Sequence, residues 1–269
     1  MNEMIEVFNR HEKKFLIDTE TYQSIKDKLL YHMEFDAHNK NCEFYTISNI
    51  YYDTDDNHLI RNSLSRPKYK EKLRLRAYGI PESNGKAYME IKKKVCGLVN
   101  KRRTAIRLNE AYEFVNSGKK PEIKDYMNRQ VINEIEYFLN IYELKPKLYL
   151  AYDRMGMFGK DNRGLRITFD NNIRTRRYDL MLENGDFGEK LLQKDQYLME
   201  IKAENSIPVW LTKMLSEYKI YSTSFSKYGK VHQKELMENC KLKGESYLCS
   251  KQYSTQQLLA SHYLYPVQY

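Results

Sequence analysis

Apolar and polar residues alternate with a period of two in several stretches of this chain. In EKLRLRAY, Leu73 and Leu75 alternate with Lys72, Arg74 and Arg76. In YMEIKK, Met89 and Ile91 alternate with Glu90 and Lys92. In LMEIKAE, Met199 and Ile201 alternate with Glu200, Lys202 and Glu204. Near the N-terminus, Arg10, Glu12 and Lys14 alternate in RHEKKF. Successive side chains of a strand point to opposite faces, so each charged set lies on one face. The pattern predicts strands over about 4–17, 43–53, 68–78, 86–96, 99–108, 146–157, 163–175 and 196–204. Gly97 marks a hairpin turn, and Gly159 to Gly164 frames a second hairpin loop.

Helical spacing interrupts these runs. Asp18 and Thr19 can cap a helix over about 20–34, with Tyr22, Ile25, Leu29 and Met33 on one side. Asp55 is the expected cap of a short helix ending at Leu64, and Asn109 opens another that reaches Val115. Tyr126, Ile132, Ile135, Phe138, Leu139 and Tyr142 predict an amphipathic helix between Asp125 and Tyr142. Pro208 suits the first turn of a helix over about 208–217. The last helix is expected from Lys227 to Asn239. Residues 241–269 read as a loosely specified tail, and nothing divides residues 1–240, so one domain is expected there.

Eight mostly antiparallel strands predict an α+β fold whose sheet closes into a barrel, with the helices packed outside. The helices would cover the apolar faces, which turns the charged faces inward. Enclosing so much charge is costly. The inversion makes sense if the interior holds a large polyanion together with a metal.

Composition fits such a molecule. The chain has 269 residues, 41% of them hydrophobic, enough for a sizeable core. Its net charge of +9 favours anionic partners: nucleic acid, acidic membrane or phosphorylated small molecules. Basic residues alternate on many strands instead of clustering on one helix or patch, which argues against nucleic acid. Cys42, Cys96, Cys240 and Cys249 are dispersed and form no ligand pattern, as expected of free thiols in a reducing cytoplasm. No secretory leader is evident, and no apolar stretch approaches the roughly 20 residues that span a bilayer. A soluble, cytoplasmic chain is expected.

Arg74 and Arg76 form the strongest local signal. A guanidinium fork meets phosphate oxygens in bidentate fashion and stays charged when desolvated. Two on one face, with Lys72 beside them, could span adjacent phosphoryl groups; a solvated face on a basic protein would look the same. Tyr152 and Arg154 share a face, as do Arg166 and Thr168. EIK recurs on two of the predicted strands, carrying Lys92 and Lys202. Glu12, Glu90, Glu200 and Glu204 are the candidate carboxylates for a hard divalent ion, which needs only one or two of them when phosphates supply the rest. Glu90 reads better as the partner of a neighbouring cation, and Glu200 as a metal ligand. Ser226, Lys227 and Lys230 sit at an expected helix start, where free N–H groups attract phosphate, or where a serine simply caps a surface helix. Neither a P-loop nor a GxSxG or HExxH motif is found. The histidines offer no ligand spacing, and His58 and His232 read as surface residues.

Taken in order, RHEKKFLI, SNIYYDT, KLRLRAYG, YMEIKKK with NKRRT, YDRMGMF, LRITFDNNIR, YLMEIKAE and SFSKYGK resemble the polyphosphate-polymerase (VTC) domain of the triphosphate tunnel metalloenzyme superfamily. The resemblance covers about residues 5–240. It implies an eight-stranded antiparallel tunnel with a basic interior and Mn²⁺ or Mg²⁺. It also implies that Lys14, Arg74, Arg76, Lys92, Arg154, Arg166, Lys202 and Lys227 hold a phosphate chain, with Tyr152 a phosphate contact and Glu200 the metal ligand. Arg103 is a further candidate whose strand parity against Arg102 the sequence leaves open. Hydrolases and cyclases of the superfamily open with ExExK. Here Arg10 stands where the first Glu would be, which removes a metal ligand, adds a phosphate donor and favours chain transfer over hydrolysis.

The expected reaction is transfer of the ATP γ-phosphate to a growing polyphosphate chain. The alternatives are hydrolysis of inorganic or nucleoside triphosphate, and a polyphosphate- or nucleotide-binding sensor without turnover. The regulatory domain and membrane segment of fungal members are not recognised in the sequence, so coupling to transport would need a separate membrane partner.

Overall fold

The computed structural model describes residues 11–39, 43–96, 98–204 and 206–242. Arg10 and the start of the first predicted strand, Cys42, Gly97, Cys249 and residues 243–269 lie outside them.

Among the described residues eleven strands form one sheet: β1 (His11–Asp18), β2 (Met33–Phe35), β3 (Tyr45–Asp53), β4 (Tyr69–Tyr78), β5 (Lys86–Val95), β6 (Leu98–Arg107), β7 (Lys145–Gly159), β8 (Arg166–Arg176), β9 (Glu189–Lys190), β10 (Gln196–Ala203) and β11 (Ser222–Thr223). The helices are α1 (Thr19–His32), α2 (His58–Leu64), α3 (Leu108–Ser117), α4 (Arg129–Ile141), α5 (Val209–Glu217) and α6 (Lys227–Leu242). The strand order is β11-β1-β10-β8-β7-β3-β4-β5-β6, with β2 beside β7 and β9 beside β8. All the pairings are antiparallel.

The eight long strands fall where alternation places them, but the closed eight-stranded barrel does not follow. Among the described residues no pairing joins β6 to β1, so the sheet is open. One physical reason is visible at each edge. The free edge of β1 is taken by β11, at Lys14 and Phe15. The free edge of β6 carries Lys101, Arg102 and Arg103, and charge of one sign discourages edge pairing. The sheet nevertheless curls. Lys92 on β5 is acted on by Glu12 and Lys14 on β1 and by Lys202 on β10, and Lys14 by Tyr51 on β3. The two ends of the sheet therefore face one another across a concavity.

The apolar faces lie outside, under the helices. Leu73, Leu75, Met89, Ile91 and Ile106 pack with Phe114 of α3 and Ile132, Ile135 and Phe138 of α4. Phe15, Ile17, Phe169, Met199 and Ile201 pack with Ile25 and Leu29 of α1 and Leu211 of α5. A third cluster corrects the simple inside-out picture. Ile47, Leu148, Leu150 and Leu198 belong to the charged faces of their strands, yet they pack against Phe225, Tyr228 and Val231. Thus α6 and the segment before it fill part of the concave side.

Several helix starts differ from expectation. Asp55 instead pairs with Lys145 and Lys147, and α2 begins later because Asp53 takes the capping role: its carboxylate accepts from the Leu59 N–H at 2.8 Å and the Ile60 N–H at 3.0 Å. The Asp125–Tyr142 helix starts only at Arg129, where Asn128 accepts the Val131 N–H at 3.1 Å. His232 is buried, not at the surface, while His58 is exposed.

Candidate functional site

Strand register brings the charged alternation of separate strands into rows. Residues directly opposite in an antiparallel pair share a face. Lys72 on β4, Lys92 on β5 and Lys101 on β6 form one such row. The next contains Tyr51, Arg74, Glu90 and Arg103, and the next Asn49, Arg76, Tyr88 and Ala105. On the other half of the sheet, Lys14, Glu200, Thr168 and Gly156 form a row beside Glu12, Lys202, Arg166 and Phe158. This register resolves the parity of Arg103: it lies on the concave face opposite Glu90, while Arg102 points outward to Glu134 of α4 at 3.6 Å.

Carboxylates hold most of the arginines in place. Arg74 donates to Glu90 at 2.7 Å and to the Tyr51 hydroxyl at 3.1 Å. Arg76 donates to Asn49 at 2.9 Å and to the Tyr152 hydroxyl at 3.1 Å. Glu90 is also 3.0 Å from Lys101. Burial would raise the Glu90 carboxyl, but Arg74, Arg76 and Lys101 hold it well below the usual range, so it serves as a counter-ion. Arg154 makes a two-pronged pair with Asp170, at 2.6 and 2.8 Å, and the same carboxylate receives Lys227 of α6 at 2.5 Å. Asp170 is fully buried, and its pKa is lowered because Arg154 and Lys227 outweigh the burial penalty. Arg166 donates to Asp36 at 2.8 Å.

Further cations crowd the same face, Lys101 among them although it shares Glu90. Burial lowers Lys72 to about 8, with Lys92, Lys70 and Lys14 adding to the shift. Desolvation lowers Lys101 to about 7 despite Glu90, helped by Arg74 and Arg76. Lys92 is lowered too, first by desolvation. Lys92 and Lys101 keep accessible surface while lying deep among protein atoms, as side chains lining an open concavity do. Tyr51 and Tyr52, neighbours on opposite faces, meet different surroundings. Burial drives the outward Tyr52 phenol far upward. At Tyr51, on the concave face, burial acts the same way, but Arg74 and Arg76 reverse it and the phenol falls below its ordinary value. Tyr152 is lowered likewise by Arg154 and Arg76.

Around Glu200 the balance is closer. Its carboxylate is 2.7 Å from Lys202, and burial is outweighed by Lys202, Lys14, Lys227 and Arg154, which hold it ionised. Lys14 lies 3.1 Å from Glu12 and donates to the Phe225 carbonyl at 3.0 Å; burial opposes its charge, yet Glu200 and Glu12 raise its pKa. The Thr168 hydroxyl and the Arg166 Nε–H, from the same two rows, are buried and have no hydrogen-bond partner among the described residues. Ser226 caps α6, its hydroxyl accepting the Gly229 N–H at 3.2 Å, and Lys230 is exposed one turn on. Among the described residues no group of three or more His, Cys, Asp or Glu could hold a metal by itself.

Lys101, Asp170 and Tyr51 belong to this face but escape sequence reasoning. Three consecutive cations, 101–103, hide which ones face inward. Asp170 shares a face with Arg166 and Thr168 in LRITFD, which is a signal, but its partner Lys227 is 57 residues away.

The chain belongs to the VTC domain family, which it matches over residues 9–234. Similar solved structures include a candidate adenylate cyclase from Bacillus halodurans, at 18% identity over 80% of this chain and 92% of that one, with a TM-score of 0.49. The PH1819 protein from Pyrococcus horikoshii OT3 has 14% identity over 85% and 98%, with a TM-score of 0.42. A candidate adenylyl cyclase from Hippeastrum, described as having a dominant triphosphatase activity, has 16% identity over 81% and 92%, with a TM-score of 0.43. No curated protein matches the chain. Among the described residues no helix is long and apolar enough to cross a membrane.

Proposed function

We propose that this protein is a metal-dependent polyphosphate polymerase, passing the γ-phosphate of ATP to a polyphosphate chain held on the concave face. The observation that carries the reading is the row Lys72–Lys92–Lys101. Three like charges directly opposed across two seams repel one another. Such a row is sustained when an anion with closely spaced charges lies along it. The adjoining rows continue the same chemistry through Arg74, Arg103 and Arg76, and through Lys14, Arg154, Arg166, Lys202 and Lys227. Membership of the VTC domain family agrees with it.

In this reaction a terminal phosphate oxygen of the chain attacks the γ-phosphorus. The bond to the β–γ bridging oxygen breaks, and ADP leaves with that electron pair. Phosphate is already a nucleophile, so no strong general base is needed. Catalysis rests on alignment and on stabilising the charge of the transferring phosphoryl group. Arg74 and Arg76 are fixed by Glu90, Asn49 and Tyr152 before substrate arrives, and Arg154 and Lys227 by Asp170. Thr168 and Arg166 offer donors that a phosphoryl oxygen can satisfy.

Glu200 and Glu12 are hard oxygen donors suited to Mg²⁺ or Mn²⁺. Both already sit beside lysines, which fits an ion shared with phosphate oxygens better than one caged by protein. Bound there, the metal would neutralise phosphoryl charge.

The test is incubation of the purified protein with ATP and Mn²⁺, followed by gel sizing of the phosphate product, with Arg74→Ala as the control. A phosphate polymer formed by the unaltered protein and not by Arg74→Ala supports the proposal. Rapid cleavage of triphosphate without polymer would replace it with a triphosphatase. Tight binding without turnover would replace it with a sensor.

A further inference from the structure

Beyond Arg76 the concave face gains aromatic rings among its cations, with Lys86 over the Tyr88 ring at 5.5 Å. Tyr78 follows Arg76 by two residues on β4 and so shares its face. Tyr88 stands directly opposite Arg76 on β5, and Tyr45 directly opposite Arg154 on β7. The rings of Tyr78 and Tyr88 meet edge to face, with centroids 5.8 Å apart, and Tyr45 approaches Tyr78 at 6.2 Å. Arg103 lies 5.0 Å from the Tyr88 ring centre and donates to the Tyr78 hydroxyl at 3.5 Å. Tyr78 is 39% exposed, so this aromatic group is open to solvent beside the cations and not part of the core.

A phosphate chain takes cations and N–H or O–H donors, and gains nothing from the face of a ring. A nucleobase gains from both ring faces and guanidinium planes, because every base carries a π surface. We propose that Tyr78, flanked by Tyr88 and Arg103, is a stacking platform for the purine of a nucleoside triphosphate whose phosphates run onto Arg76 and Arg74. Arg103 then serves both ends, stacking near the base and neutralising the first phosphate. The platform makes ATP, and not inorganic triphosphate, the ligand this end of the face selects. The inference rests on reading the cationic face as a triphosphate site.

The experiment is a binding measurement, so it does not depend on turnover. ATP and inorganic tripolyphosphate are titrated separately into the full chain and into Tyr78→Ala, with thermal melting to show that the variant folds. Tyr78→Ala should weaken ATP about tenfold and leave tripolyphosphate unchanged. A second measurement uses the unaltered protein alone: 2-aminopurine riboside triphosphate should lose fluorescence on binding, as a stacked base does. Equal effects of Tyr78→Ala on both ligands, or bound analogue that keeps its fluorescence, would overturn the platform while leaving the triphosphate site standing. Failure of the unaltered protein to bind either ligand would overturn both.

Discussion

Lys72 stands directly opposite Lys92 across the β4–β5 seam, and its pKa is pushed down to about 8. Lys101, on the far side of Lys92, is pushed down to about 7. A lysine whose pKa in the fold lies below its ordinary 10.5 holds fewer protons folded than unfolded between the two values, so these groups favour the fold more as pH rises through that window. A bound anion acts the other way and returns the protons. Tripolyphosphate affinity should therefore fall as pH rises from about 7 to 9. Calorimetric titration at pH 8 in buffers of different ionisation enthalpy should show proton uptake, reduced in Lys101→Gln. Uptake of no protons would contradict the shared cationic row.

Arg102 and Arg103 are neighbours in sequence and sit on opposite faces. Arg103→Ala should weaken tripolyphosphate binding several-fold, while Arg102→Ala, which loses only an outward pair with Glu134, should leave it near the unaltered value. Equal losses would place the register of β6 in error.

Asp170 joins β7, β8 and α6 through Arg154 and Lys227. Asp170→Asn removes the charge that both cations face inside the protein, and breaking a buried pair in this way costs about 3–5 kcal/mol. The melting temperature should drop by many degrees. Because the Asp170 pKa is lowered in the fold, its contribution is present above the ordinary value of 3.8 and is lost as pH falls below it. The gap in stability between the unaltered protein and Asp170→Asn should thus close in acid.

Glu200→Gln keeps the shape of the side chain and removes its charge. Turnover should fall about 10²-fold or more, as it should when a chelator strips divalent ions, and adding Mn²⁺ or Mg²⁺ should restore only the unaltered protein. Full activity of Glu200→Gln at low metal concentration would move the metal elsewhere.

Much of this molecule is legible in its sequence because strand alternation is a local property. The eight long strands need only the period-two pattern, which also tells which charged residues share a face of one strand, as Lys72, Arg74 and Arg76 do, or Glu200 and Lys202. What fails is whatever depends on distant partners. Whether β6 meets β1 depends on β11, a strand of two residues with no pattern to find. The α2 cap passes from Asp55 to Asp53 because a strand end, and not a loop, holds the helix. Apolar residues on the concave faces of β3 and β7 are explained only once α6 is seen to cover them.

The most direct test of the account follows the γ-phosphate itself. ATP labelled in that group is incubated with the protein, divalent metal and a short polyphosphate primer, and the label is traced while ADP is counted. Label is expected in lengthening polymer, with one ADP per phosphate added and a loss of about 10²–10³ in rate for Arg74→Ala. Label recovered as free orthophosphate, with the primer unchanged in length, would contradict it.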